Sequence, residues 1–274
     1  MPCFEHDGLR FHYRERGGGI PFVFQHGLGA DVNQIFDLFQ PPPGFRLITF
    51  ECRGHGETRP LGPEEKISVE TFTEDLRALL EHLGIGRAVI GGISMGAAIA
   101  LRFALEQPDR VLGLVLSRPA WLEQSRADNL RVFSTLAKFI RQYGAWEGAQ
   151  RYQETAAYQQ VRRDSPDSAK SLLAQFAHPR AGETVAKLER IPAYVPTHTR
   201  ADWQTLRVPT LVLANRQDPV HPFEFGEVMA GAIPGACLVE VTPKSVSVER
   251  HGADVQRALE DFLLENFSTT DGHG

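Results

Sequence analysis

The stretch Val89-Ile90-Gly91-Gly92-Ile93-Ser94-Met95-Gly96-Ala97-Ala98-Ile99-Ala100 constrains the fold more than any other part of the chain. An apolar, strand-like run passes directly into an Ala-rich, helix-like one with no loop between them. Gly92 to Gly96 fits the pattern G-x-S-x-G. A reversal this sharp puts its central residue in a strained backbone conformation. Side chains at the flanking positions would collide, so glycine is needed at 92 and 96. The geometry lifts the Ser94 hydroxyl above a sheet edge, at a helix N-terminus whose dipole favours developing negative charge.

The surrounding pattern supplies a sheet for that turn. "LRFHYRER" alternates and runs into "GGG", which predicts a strand followed by a tight turn. "PFVFQHG", "FRLITFECRGHG", "RAVIGGIS", "RVLGLVLS", "PTLVLAN" and "ACLVEVT" are short apolar runs. Continuous Val/Ile/Leu runs of this kind predict parallel strands buried on both faces. Helical patterns separate them. In "SVETFTEDLRALLEHLG", Phe72, Leu76, Leu79, Leu80 and Leu83 share one face, Ser68 caps the start and Gly84 ends it. "MGAAIALRFALEQP" stops before Pro108. Alternation of strand and helix predicts a mostly parallel, doubly wound α/β sheet.

From about Trp121 to Ala201 no strand pattern occurs. Leu130, Phe133, Leu136, Ala137 and Ile140 recur at helical spacing, and Ser165-Pro166 reads as a helix start. We expect residues 120–201 to form a helical cap inserted between two strands of a core made of 1–119 and 202–267. Residues 268–274, "STTDGHG", are small and polar and are expected to be a disordered tail. Ligand sites of open α/β sheets lie at the strand C-termini, so the insertion is placed to roof one.

Bulk properties narrow the functional classes. The chain of 274 residues carries a net charge of -5 and shows no basic stripe with interleaved aromatics, which argues against nucleic acid as a partner. Cys3, Cys52 and Cys237 are too scattered for a disulfide framework or a zinc site, so no metal is expected. No run approaches the roughly 18 apolar residues of a membrane span, and the first residues lack the apolar segment of a signal peptide. The expectation is a cytoplasmic protein without a membrane partner, monomeric or homodimeric, needing no cofactor.

With "VIGGISMGAAIALRF" come "QHGLGAD", "ECRGHGET" and "DWQTLRVPTLVLANRQDPVHP", in that order. Together they resemble the α/β-hydrolase fold superfamily, of the small capped serine-esterase kind. The likeness covers roughly Phe4 to Ser117 and Asp202 to Phe262. It implies Ser94 as nucleophile, Asp218 as triad acid, and the backbone N–H groups of Leu28 and Met95 as an oxyanion hole. The chain order of this fold is Ser, then acid, then His. The histidine of the family would fall near Lys244 or Ser245, where this chain has none. By elimination and chain order, His251 is expected to fill that role. His221 is expected at a helix start or on the surface, and His26 and His55 as loop organisers rather than bases. Other departures are Glu51, where the family often has Asp, and the missing Gly before the acid. His26, Arg118 and Trp121 are expected near the substrate. Arg118 would bind an anionic group or tie the cap to the core. The implied activity is hydrolysis of a small carboxylic ester or related acyl compound. Thioesters, lactones and the C–C bond of a diketone remain open. A catalytically weak ligand binder, or a lyase- or cyclase-like member of the fold, is the alternative.

Overall fold

The computed structural model describes residues 2–123 and 127–267; the expected tail at 268–274 lies outside them. Eight strands form one sheet: β1 (Cys3–His6), β2 (Leu9–Gly17), β3 (Ile20–Gln25), β4 (Phe45–Phe50), β5 (Ala88–Ile93), β6 (Val111–Ser117), β7 (Thr210–Ala214) and β8 (Cys237–Glu240). Their order across the sheet is β1-β2-β4-β3-β5-β6-β7-β8. The first two pairings are antiparallel and the remainder parallel. The helices are α1 (Val32–Leu38), α2 (Val69–His82), α3 (Met95–Glu106), α4 (Arg131–Gln153), α5 (Ala156–Asp164), α6 (Pro166–Ala177), α7 (Ala186–Arg190), α8 (Arg200–Trp203), α9 (Phe223–Ala232) and α10 (Val248–Phe267).

The strand alternation sorts apolar residues into two cores, one on each face of the sheet. Val23, Ile90, Leu114, Leu116 and Val212 join α2 and α3 on one face. Phe22, Phe24, Val89, Val115, Leu211 and Leu213 meet α1 and α10 on the other. The runs read as buried on both faces fit this, with β5 buried throughout. β8 departs from the reading: it closes the sheet as an edge strand with Cys237 and Glu240 exposed.

Helix α2 is built as its sequence predicts. Ser68 Oγ accepts the Thr71 N–H, and Phe72, Leu76, Leu79 and Leu80 are buried. Each such side chain contributes about 1.5–3 kcal/mol on burial. Gly84 (φ 66°) ends the helix, as the Ile85 N–H returns to Leu80 O.

Between β6 and β7 the described residues hold helices and no strand. Leu130, Phe133, Leu136, Ala137 and Ile140 are buried together. Ser165 precedes α6 without a side-chain capping bond, because its hydroxyl points instead to Ser168 and to Gln217 O. These helices dock on the loop after β4. Arg180 donates to Gly56 O and Thr58 O, and Lys187 Nζ donates to Gly54 O at 2.9 Å.

Candidate active site

Ser94 sits between β5 and α3 with φ 56° and ψ -108°, a conformation costly for a residue with a Cβ. The turn has no room for larger neighbours. A Cβ on Gly92 would lie 2.4 Å from Gly96 C, and one on Gly96 2.3 Å from Gln25 O. The Ser94 N–H donates to Ser117 O at 2.9 Å, which locks the turn to β6. The side chain stays at the surface of a cavity, with Ser94 8% exposed. Met95 is the first residue of α3, so its N–H has no acceptor within the helix.

That cavity, about 90 Å³, is lined by Gly27, Leu28, Gln34, Ile93, Arg118, Val220 and His221, and by Phe133, Ser168, Ser171, Leu172 and Gln175 from the inserted helices. The loop carrying Leu28 is held from behind. Gln34 Oε1 accepts the Gly27 N–H at 2.8 Å, and the Ala30 N–H closes a turn onto Gly27 O.

His26 is not a substrate contact. It is fully buried, its Nδ1–H donates to Gly27 O at 2.9 Å, and its Nε2 accepts the Cys52 N–H at 3.1 Å. With both nitrogens used and burial holding its pKa down to about 4, it is a neutral brace between two loops. His55, 4.9 Å away ring to ring, likewise donates Nδ1–H to Arg53 O. Glu51 keeps the role of a loop carboxylate: it accepts the Glu57 N–H at 2.6 Å, with Gly56 packed against it. Trp121 also departs from expectation. It packs edge-on against Tyr194 and lines a different cavity with Arg102 and Trp203.

Asp218 collects more partners than any other carboxylate at this end of the sheet. Oδ1 accepts the Val220 and His221 N–H groups at 3.2 and 3.1 Å. Oδ2 accepts Arg118 Nε at 2.7 Å, Arg118 Nη2, and His221 Nδ1–H at 2.9 Å. Burial alone would raise the carboxyl, but His221 and Arg118 outweigh it and hold it well below the usual carboxylate range. Arg118, itself at φ 51°, therefore pairs with the acid inside the core. Burial pushes His221 below its ordinary value; Asp218 opposes this and Arg118 reinforces it. The imidazole is neutral at pH 7, with Nδ1 protonated. Its Nε2 is buried and has no hydrogen-bond partner among the described residues.

The expected Asp218–His251 pair is not formed. The chain turns after β8 (the Val246 and Ser247 N–H groups both return to Pro243 O) and enters α10 at Val248. His251, 3% exposed, falls in the first turn and donates Nδ1–H to Thr242 O at 2.8 Å. Asp254 fixes that acceptor by taking the Thr242 N–H and hydroxyl. The position nearer the acid belongs to Lys244, within electrostatic reach of Arg118, Asp167 and Asp218. Burial and then Arg118 lower its pKa. The imidazole that the sequence reading does not place beside Asp218, and that the structure puts there, is His221. Its signal was the spacing Asp-x-x-His, which can fold an imidazole back onto its own acid. Ser168, Ser171 and Gln175 carried no signal, since helical periodicity does not show what a polar residue faces.

Among the described residues no group of three or more His, Cys, Asp or Glu side chains is arranged to hold a metal. No described helix is long and apolar enough to cross a membrane.

The α/β hydrolase fold family model matches residues 20–244, and the chain belongs to that family. It is similar to an AB hydrolase superfamily protein, YisY, of Bacillus subtilis (24% identity, 81% of this chain and 83% of the relative). It is also similar to 3-oxoadipate enol-lactonase 2 of Acinetobacter baylyi (25% identity, 82% and 81%). Among solved structures, an enol-lactonase from Burkholderia xenovorans superposes with a TM-score of 0.71 at 25% identity, covering 96% of this chain and 99% of that one. A thermophilic esterase from Thermogutta terrifontis, 24% identical, shares the fold at a TM-score of 0.71 over 97% of each chain. The protein is thus a hydrolase enzyme of this fold.

Proposed function

We propose that the protein is a serine hydrolase of small carboxylic esters or related acyl compounds, lactones included, and that it works through an acyl-enzyme on Ser94. The observation that carries this is the strained Ser94 turn opening into a cavity of about 90 Å³, shared with Leu28. A hydroxyl on such a turn is presented to the substrate at little reorganisation cost. The Met95 N–H at the helix start and the Leu28 N–H across the cavity are the two donors for a developing oxyanion. Each donor of this kind is worth about 3 kcal/mol in the transition state. The cavity is small, so the acyl part it admits is small. Its polar wall of Ser168, Ser171 and Gln175 suits a substrate with a hydrogen-bonding group near the scissile carbonyl. Two of the similar proteins are named as enol-lactonases, which supports lactones and short esters ahead of C–C bond substrates.

A fluorophosphonate probe and a panel of short esters, thioesters and lactones test the proposal. Wild type should label stoichiometrically and turn over at least one member of the panel. Ser94→Ala should lose labelling and lower kcat/KM by on the order of 10⁴-fold or more. Absence of labelling with retained ligand binding would mark the chain as a binding or non-hydrolytic member of the fold.

A further inference from the structure

We propose that His221, three residues beyond the acid, is the general base of this enzyme, in place of a histidine after β8. The inference rests on the serine-hydrolase reading and adds the proton acceptor that reading requires.

Four observations carry it. First, His221 and Ser94 line the same cavity, whereas His251 does not border it. Second, Asp218 Oδ2 accepts His221 Nδ1–H at 2.9 Å, which fixes the tautomer and leaves Nε2 with a lone pair. Third, that Nε2 is buried and takes part in no hydrogen bond among the described residues, so its lone pair is not committed elsewhere. Fourth, the alternative imidazole is already committed: His251 Nδ1–H is spent on a backbone carbonyl, so no carboxylate stands behind its ring. The order along the chain is still nucleophile, acid, base.

The backbone explains how a base can stand so close to its acid. Asp218 Oδ1 receives the N–H groups of Val220 and His221, which folds Asp218-Pro219-Val220-His221 into a tight turn around the carboxylate. The imidazole is thereby brought back onto Oδ2, and Pro222 precedes α9. The charged groups facing the ring are Asp218, from the loop after β7, and Arg118, from the end of β6. Lys244, from the loop after β8, stands near both of these. Arg118 shares Oδ2 with the ring, so the carboxylate positions the imidazole without making it strongly basic.

The chemistry then balances without any further reactant than water. Ser94 Oγ bonds to the acyl carbon as its proton passes to His221 Nε2. The carbonyl π pair moves onto oxygen, facing the Met95 and Leu28 N–H groups. Collapse of the intermediate breaks the bond to the leaving oxygen, which takes the proton from His221 Nε2. Water next gives its proton to Nε2 as it attacks the acyl-enzyme. Breaking the ester to Ser94 returns that proton to Oγ and releases the acid.

The test compares His221→Ala, His221→Gln and His251→Asn with wild type, using p-nitrophenyl acetate turnover and fluorophosphonate labelling rate, with thermal melts to show that each variant folds. Both His221 variants should lose about 10²- to 10⁴-fold in kcat/KM and in labelling rate. His251→Asn should stay within about threefold. Added imidazole should restore part of the activity of His221→Ala, where the side chain leaves a space next to Asp218, and none in Ser94→Ala. Folded His221 variants that label and turn over like wild type would overturn the inference and leave the Ser94 reading standing. A His251→Asn variant as damaged as His221→Ala would overturn it in the same way. Failure of wild type to label or turn over any ester would instead overturn the serine-hydrolase reading, and the inference with it.

Discussion

Two loops leave the same end of the sheet and each presents a histidine, yet they are built around different acceptors. The loop after β7 wraps a carboxylate: five donors from Val220, His221 and Arg118 converge on Asp218. The loop after β8 wraps a carbonyl: Asp254 holds Thr242, and Thr242 O holds His251. Both imidazoles are buried and neutral, with burial the main cause of the lowered pKa in each. What separates them is what stands behind Nδ1. A carboxylate stabilises an imidazolium formed during catalysis; a lone carbonyl does so far less. On the proposed reading, which of the two imidazoles serves as base is set by its acceptor and the cavity it lines, not by the loop that carries it.

The sharpest way to break the comparison is to remove the carboxylate. Asp218→Asn should lower kcat/KM by about 10³-fold or more, since the ring loses both its tautomer control and its counter-charge. The same change leaves Arg118 without its partner in a largely buried place and should cost about 3–5 kcal/mol of stability. Chemical denaturation alongside steady-state kinetics measures both. A folded Asp218→Asn variant with near-normal turnover would remove any distinction between the two loops.

The next effect asks whether the loop after β8 can be given back the role. Lys244 lies within electrostatic reach of Asp218 and Arg118, which makes it the position in that loop at which to install a histidine. In a His221→Ala background, Lys244→His should recover at least about tenfold of the lost activity, because the acid, the oxyanion donors and Ser94 are all still in place. The single variant His221→Ala is the reference for that measurement. No recovery in a folded double variant would mean that the space beside Asp218 admits an imidazole only from the β7 side.

How much of this was legible in the sequence differs between the sheet and the site. The strands from β2 onward, α2 and α3, and the strand-free stretch between β6 and β7 follow from periodicity, caps and glycines, which are local properties. β1, α1 and α9 were not read, being short segments whose stability comes from packing on the sheet. At the site, the turn at Ser94 was legible because its glycines are forced by sterics. The expected pairing of His251 with Asp218 fails because chain order says nothing of where an imidazole points. The His251 ring is claimed by Thr242 O, a contact across nine residues and one helix turn that no pattern announces. Trp121 was misplaced for a similar reason: an aromatic at the start of an insertion packs where its neighbours leave room, here against Tyr194. The motif marks His26 as a loop residue and Arg118 as a cation past a strand end, but their partners, Cys52 N–H and Asp218, come from distant parts of the chain.

A smaller effect sharpens the structural half of the comparison. His251→Asn keeps a donor for Thr242 O but loses most of a buried ring. It should lower stability by about 1–2 kcal/mol, with turnover close to wild type. Urea denaturation monitored by tryptophan fluorescence measures the first quantity. A stability cost near zero would mean that the Thr242–His251 bond does not brace the turn into α10.

The smallest effect is in the pH profile, and it tests whether Arg118 and His221 truly share one carboxylate. A general base works in its neutral form, so kcat/KM falls as pH drops through the folded-state pKa of that base. Burial and Arg118 hold His221 below the ordinary histidine value. The acid limb should therefore lie below pH 6.5, with less than about a twofold change between pH 8 and 6.5. Unfolding does not confuse this limb. Asp218 has its folded pKa depressed, so its stabilising contribution is fully present above the unfolded carboxylate value, about 3.9, and is lost only as pH falls below it. In Arg118→Met the cation that depresses His221 is gone while Asp218 remains, so the limb should move to higher pH. A limb that stays in place in this variant would show that the guanidinium and the imidazole do not compete for Oδ2, and the hydrogen bonds drawn to that oxygen would have to be reassigned.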